Sequence, residues 1–139
     1  MIQRIQSIYL LLGALAVVAM LLVDVIWENP ATRTYAWFAP AVLVLDGLSA
    51  VAAIGTIFLY KDRKRQLRAI QGVQLLTVLL IAVLFVGLVL AGALPFVTGA
   101  GAAGWAGLLL PVVAYVFFYL ARRGVQRDIA LVRSMDRLR

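Results

Sequence analysis

"YKDRKRQLR", residues 60–68, sets five basic side chains within nine positions of a chain that is 65% hydrophobic and only 14% charged. Apolar runs too long for a soluble core flank the segment on both sides, and a mean hydropathy of +1.03 lies far outside the range of a soluble fold. A net charge of +7 points to nucleic acid in a soluble protein. Here the charge sits in blocks beside apolar runs, which is the pattern of lipid headgroups and membrane topology. The chain has no cysteine and no histidine, so disulfides, thiolate or imidazole metal sites and catalysis built on either residue are excluded.

Hydropathy divides the chain into four apolar stretches, approximately Ile8–Ile26, Trp37–Tyr60, Ala69–Leu94 and Trp105–Ala121. Each is near the roughly 20 residues that cross about 30 Å of hydrocarbon. Helices are expected rather than strands, because backbone groups in lipid must bond within their own segment and the runs show no polar alternation. Pro111 falls well inside the fourth run, where a kink or a late helix start is expected. Pro40 lies in the first turn of the second and is harmless there. The first run is long for a signal peptide and lacks a small-residue cleavage site after it, so it reads as a retained span. The division into domains is then a four-helix transmembrane unit over 1–121 and a basic tail helix over 122–139.

Orientation follows from the charges. An even number of spans puts residues 1–7, 61–68 and 122–139 on one side and 27–36 and 95–104 on the other. Of the 13 lysines and arginines, all but Arg33 fall on the first side, which marks that side as cytoplasmic. The basic run therefore holds the loop between spans two and three inside and forces a hairpin. Trp27, Tyr35, Trp37 and Trp105 mark the outer interface, and Tyr9, Tyr60 and Tyr119 the inner one.

The opening "MIQRIQSIYLLL", the loop "FLYKDRKRQLR" and the ending "LVRSMDRLR" together resemble a family of small four-span bacterial inner-membrane proteins whose domain has no known function. The resemblance covers the whole chain, with one departure at Met135, where the family more often has alanine. It implies a four-helix inner-membrane protein and carries over no activity, ligand or catalytic residue.

Asp46 is the sharpest individual feature. It lies nine residues after Trp37, hence about 14 Å below the outer interface at 1.5 Å per residue. A carboxylate near the midplane costs at least about 2.5 kcal/mol, so it should have a partner or be protonated. Tyr115 reaches a similar depth on span four and can donate to it; Ser49, one turn below, is the local alternative. The functional reading is a proton or cation relay, and the plainer one a structural hydrogen bond between spans two and four. Asp24 and Glu28, four apart at the outer end of span one, could hold a divalent cation or serve as general acid and base, but without a third ligand, a histidine or a nearby nucleophile they read as a hydrated rim neutralised by Arg33. Gln71, Gln74 and Thr77 on span three line an aqueous path or, more simply, join helices by hydrogen bonds. Ser49, Ala53 and Gly55, with Gly87 and Gly92, permit close helix contact.

In the tail, Val125, Ile129, Val132, Met135 and Leu138 recur at helical spacing opposite a basic face, the pattern of an amphipathic helix. Arg123 with Arg127, and Arg133 with Arg137, are like-charged pairs that seek an external counterpart. Arg122 and the loop residues Lys61, Arg63, Lys64, Arg65 and Arg68 complete a cytoplasmic basic surface for anionic headgroups or a partner protein, with Asp128 and Asp136 fixing register in the latter case. Nucleic acid is not expected, because no aromatic residues interleave the cytoplasmic charges.

The expected architecture is an all-α, up-and-down bundle of four membrane helices with a cytoplasmic amphipathic tail, multi-pass in a bacterial inner membrane with both termini inside. The expected role is a non-enzymatic accessory subunit or assembly scaffold, binding lipid and another membrane protein or its own copies, with no cofactor. The alternative is a small oligomeric transporter or channel with Asp46 in its path. An enzyme is disfavoured, since no nucleophile and base, metal cluster or phosphate-cradling motif occurs.

Overall fold

The computed structural model describes residues 2–23, 27–99 and 101–136, and every regular element among them is helical. In chain order these are α1 (Ile2–Leu21), the short α2 (Pro30–Thr34), α3 (Phe38–Ile57) with a tighter 3₁₀ turn over Phe58–Lys61, α4 (Arg63–Leu90), the short α5 (Pro95–Thr98) and α6 (Ala102–Asp136).

Local chemistry sets the helix ends, and several differ from the hydropathy boundaries. Helix α1 begins at Ile2, ahead of Ile8, and stops at Leu21; the Leu22 and Val23 amides bond to Ala19 and Met20 three residues back, tightening the last turn. The stretch 24–26, expected to finish this span, lies outside the described residues. Helix α4 begins inside the basic run rather than at Ala69, because Asp62 caps it. Its Oδ1 accepts from the Lys64 and Arg65 amides at 3.1 Å each, and its Oδ2 pairs with Arg65 Nε at 3.0 Å. At the other end Gly92 takes φ +61, which lets its amide reach the Val89 carbonyl and the Ala93 amide reach Leu88 at 2.8 Å. That paired closure is a Schellman motif. Gly92 is thus a helix stop rather than the packing glycine its position in an apolar run suggested.

The largest departure is in α6. It runs unbroken for 35 residues, through the buried Pro111, so the helix does not start late at the proline and no break separates a tail at 122. Among apolar helices a proline is tolerated where neighbours and local adjustment satisfy the freed carbonyl.

The four long helices pack in a ring: α1 contacts α3 and α6, and α4 contacts α3 and α6. Neighbours run in opposite directions, since Gln6 near the start of α1 meets Asp128 late in α6, Gln66 early in α4 meets Thr56 late in α3, and Phe38 meets Gly87 at the other end of the same pair. The start of α1, the 58–66 turn and the end of α6 therefore share one end of the molecule, here called the basic end. Close approach depends on three glycines. Gly87 lies under the Phe38 ring, Gly13 under the Phe118 ring, and a Cβ on Gly124 would stand 2.8 Å from Gln6 Cγ. Gly55 has open space beside it and brings no helices together.

The interior divides along the helix axes. Leu10, Val17, Ala53, Ile70, Val73 and Phe118 belong to one buried cluster toward the basic end. Met20, Phe38, Val42, Leu80 and Leu84 belong to another toward the opposite end. Outward-facing Leu15, Val51, Leu75, Val86 and Val116 are exposed. Only a third or less of each long apolar stretch is buried inside the molecule, so most of its apolar surface needs lipid or another protein to cover it.

Candidate functional site

The buried polar groups define the site. Gln6, Ser49, Thr56, Gln66, Gln74, Thr77, Asp128 and Asp46 are all at most 6% exposed, and all lie at or below the level of Asp46 on the basic-end side of the molecule. The antiparallel register from Thr56–Gln66 to Phe38–Gly87 places Asp46 opposite the turn of α4 that holds Thr77. Among the described residues, the buried polar side chains thus ascend from the basic end and stop near mid-length.

Close packing at Gly124 brings Gln6 onto Asp128, where its Nε2 donates to Oδ2 at 2.7 Å. Arg63 Nη1 reaches the Asp128 carbonyl at 3.5 Å, fixing the loop to α6. Further in, Arg122 Nη1 donates to Gln74 Oε1 at 3.3 Å, linking α6 to α4. Gln66 Nε2 donates to the Thr56 carbonyl at 3.4 Å, closing the hairpin. The hydroxyls of Ser49, Thr56 and Thr77 each bond to the carbonyl four residues back in their own helix, which satisfies them without joining helices.

Asp46 is fully buried and neither carboxyl oxygen has a hydrogen-bond partner; Gln74 Nε2 is likewise unpaired. The structure therefore does not bring together the trio suggested by depth: the Ser49 hydroxyl donates to Leu45 at 2.7 Å, and half-buried Tyr115 donates nothing to Asp46. A buried carboxyl with open lone pairs can take up a proton or a cation. No three acidic residues there gather to hold a metal. Of the Asp24–Glu28 pair, Asp24 lies outside the described residues, and Glu28 is exposed in the connection before α2 rather than on α1. Gln71 is exposed, so only Gln74 and Thr77 of that stripe face inward.

The basic residues separate into two groups. Arg63 and Arg122 are half-buried and hold helices together. Lys61, Lys64, Arg65, Arg68, Arg123, Arg127 and Arg133 are exposed, and Arg137 lies outside the described residues. Two clefts open among them. One of about 720 Å³ is walled by Lys61, Arg63 and Lys64 on one side and Arg133 on the other. The second, about 450 Å³, lies between α1 and α6 beside Arg123 and Arg127.

The tail stripe splits into a buried part and an exposed part. Val125 is fully buried and Ile129 partly so, packed on the core, while Val132 and Met135 are exposed and Leu138 lies outside the described residues. Asp128 sits inside with Val125 instead of on the outer face; the side chain of Asp136 is outside the described set. Spacing carried a signal for this, because Asp128 is three residues from Val125 and four from Val132 and so shares their face. Gln6, four before the buried Leu10, and Gln66, four before the buried Ile70, carry the same signal.

The described fold is that of an all-helical protein in which the stretches Phe38–Lys61, Arg63–Thr98 and Gly104–Met135 are long and apolar enough to cross a membrane, with a shorter apolar helix over Ile5–Leu21. The chain belongs to the family described as Domain of unknown function (DUF4293), whose model it matches over residues 2–138. No curated protein and no solved structure matches it.

Proposed function

We propose that the protein is a four-span, up-and-down bundle of a bacterial inner membrane, with both termini and the 61–68 loop in the cytoplasm, acting as a non-enzymatic accessory subunit or assembly scaffold of a membrane complex. The observation that carries this is the apolar plug beyond Asp46. Phe38 seated over Gly87, with Met20, Val42, Leu80 and Leu84, fills the half of the interior away from the basic end. A solute path needs polar lining or water along its whole length. Among the described residues this interior supplies polar groups along only half of it, while its apolar outer surface suits contact with another membrane protein. Affinity purification in mild detergent followed by mass spectrometry tests the reading: a reproducible integral-membrane partner, or copies of this chain in a defined oligomer, is expected, and a lone monomer across detergents would refute it.

One observation favours a second reading. Asp46, unpaired at the end of a polar file, is suited to a proton or cation pathway that continues between protomers. Under that reading Asp46→Asn abolishes flux in reconstituted vesicles. Under the subunit reading the parent protein and the variant are equally silent.

A further inference from the structure

The larger cleft at the basic end carries a specific ligand assignment. Its walls are held in place on both sides: the 3₁₀ turn over Phe58–Lys61 and the Asp62 cap set the loop, and the bond from Arg63 to the Asp128 carbonyl ties that loop to α6. Lys61, Arg63 and Lys64 face Arg133 across the opening, above Ile129 and Val132. Among the described residues Asp62 is the one acid in the lining, and it is already engaged by Arg65 and two backbone amides. Four cations therefore line an open cleft of about 720 Å³ with no free counter-ion among the described residues, a size within the range of roughly 300–1,000 Å³ of small-molecule sites. The cleft lies at the turn between α3 and α4, and Ile129 and the exposed Val132 form part of its lining, so an occupant with acyl chains has apolar surface to lie along. One phosphodiester, with about one negative charge, offsets one of these four cations, and two held close together offset two and reach both walls of the cleft.

We propose that this cleft binds the headgroup of an anionic phospholipid carrying two phosphates, with its acyl chains running along the apolar faces of the adjacent helices. The assignment rests on the membrane-spanning placement and is independent of the subunit reading, so partner co-purification and lipid binding can fail separately. The smaller cleft, with Arg123 and Arg127 beside Ile5, Tyr9 and Leu131, offers two cations among the described side chains and serves as an internal control.

The test uses the full-length protein in detergent, titrated with two-phosphate, one-phosphate and zwitterionic phospholipids and read by native mass spectrometry, with inorganic pyrophosphate as a tail-free probe. One equivalent of the two-phosphate lipid should be retained under activation that strips the one-phosphate lipid. Lys61, Lys64 and Arg133 are exposed, so neutralising all three with glutamine should spare the fold, checked by helical circular dichroism, while weakening retention on the order of 100-fold at about fivefold per charge. A charge-preserving K61R/K64R/R133K variant should keep binding, and R123Q/R127Q should leave it unchanged. Equal retention of the one-phosphate lipid, unaltered binding by the glutamine variant, or pyrophosphate binding as tightly as the lipid would each overturn the assignment.

Discussion

The two halves of the helical ring are held together by different physics. Beyond Asp46 the interior formed by the described residues is apolar and depends on a large ring over a glycine, Phe38 on Gly87, with Met20, Leu80 and Leu84 around it. Toward the basic end, interhelical bonds cross the packed surfaces, Gln6 to Asp128 and Arg122 to Gln74. Apolar surfaces surrounded by lipid gain no hydrophobic driving force from meeting one another, so close packing must hold the first half; hydrogen bonds of about 0.6–2 kcal/mol each add to packing in the second. Packing has no preferred charge state or ligand and makes a stopper. Polar contacts near the basic surface leave groups that can respond to what lies outside.

The hardest strike at this contrast is Phe38→Ala. Removing a fully buried ring should cost about 3–5 kcal/mol of unfolding free energy, measured by denaturation in mixed micelles. Gly87→Ala should cost about 1–3 kcal/mol, because the added methyl meets the ring and overpacks the contact. A Gly87→Ala protein as stable as its parent would mean that the ring does not sit there and that the apolar half is looser than described.

Next in size, and opposite in sign, is Asp46→Leu, which keeps the branching at Cγ and removes two unpaired oxygens. A charged aspartate at the centre of a spanning helix costs about 2.5–3.5 kcal/mol, so the variant should gain up to about 2–3 kcal/mol in the same assay. A loss instead would show that the carboxyl is held by a water or an ion, and would move Asp46 from the boundary between the halves into a working site.

Gln6→Leu probes the polar half. It leaves Asp128 Oδ2 buried without its donor, an expected cost of about 1–3 kcal/mol. Adding Asp128→Leu should restore most of that loss, since two apolar side chains leave nothing unpaired, and a double-mutant cycle isolates the coupling. Additive losses would mean that the bond contributes nothing and that the basic half is also held by packing alone.

How much of this was legible in the sequence follows from the same division. Apolar length disclosed the long helices, and the charge runs picked out the three segments that the structure gathers at one end. Asp46 was found as a buried acid because one ionisable residue in an apolar run stands out against its neighbours. Its supposed partners were not found correctly: depth along a helix fixes a level but not an azimuth, and the hydroxyl of Ser49 had a nearer acceptor in its own backbone. The bond between Gln6 and Asp128 spans 122 residues of sequence, and no local pattern pairs two such positions, although the helical face of each could have been read. Glycine was ambiguous in the same way. Gly87 and Gly92 stand five residues apart in one apolar run, and only the backbone turn at Gly92 distinguishes a stop from a contact.

The two ends of α4 give the finest version of the comparison. At the basic end its exposed amides are satisfied by a side chain, Asp62, and at the other its carbonyls by a backbone turn at Gly92. Asp62→Ala should cost about 1 kcal/mol through the lost cap, with little added by the exposed pair to Arg65. The helix should also shorten toward Ala69, seen as faster amide exchange over residues 64–66. Gly92→Ala must place a Cβ at positive φ and should cost a similar amount, about 1 kcal/mol, with faster exchange confined to the last turn before Leu90. Because Asp62 also lines the larger basic cleft, fraying at the α4 start should loosen that cleft, whereas fraying at Gly92 should leave it intact. The two variants, matched in overall stability, thus separate an effect on the basic end from a general weakening of the helix.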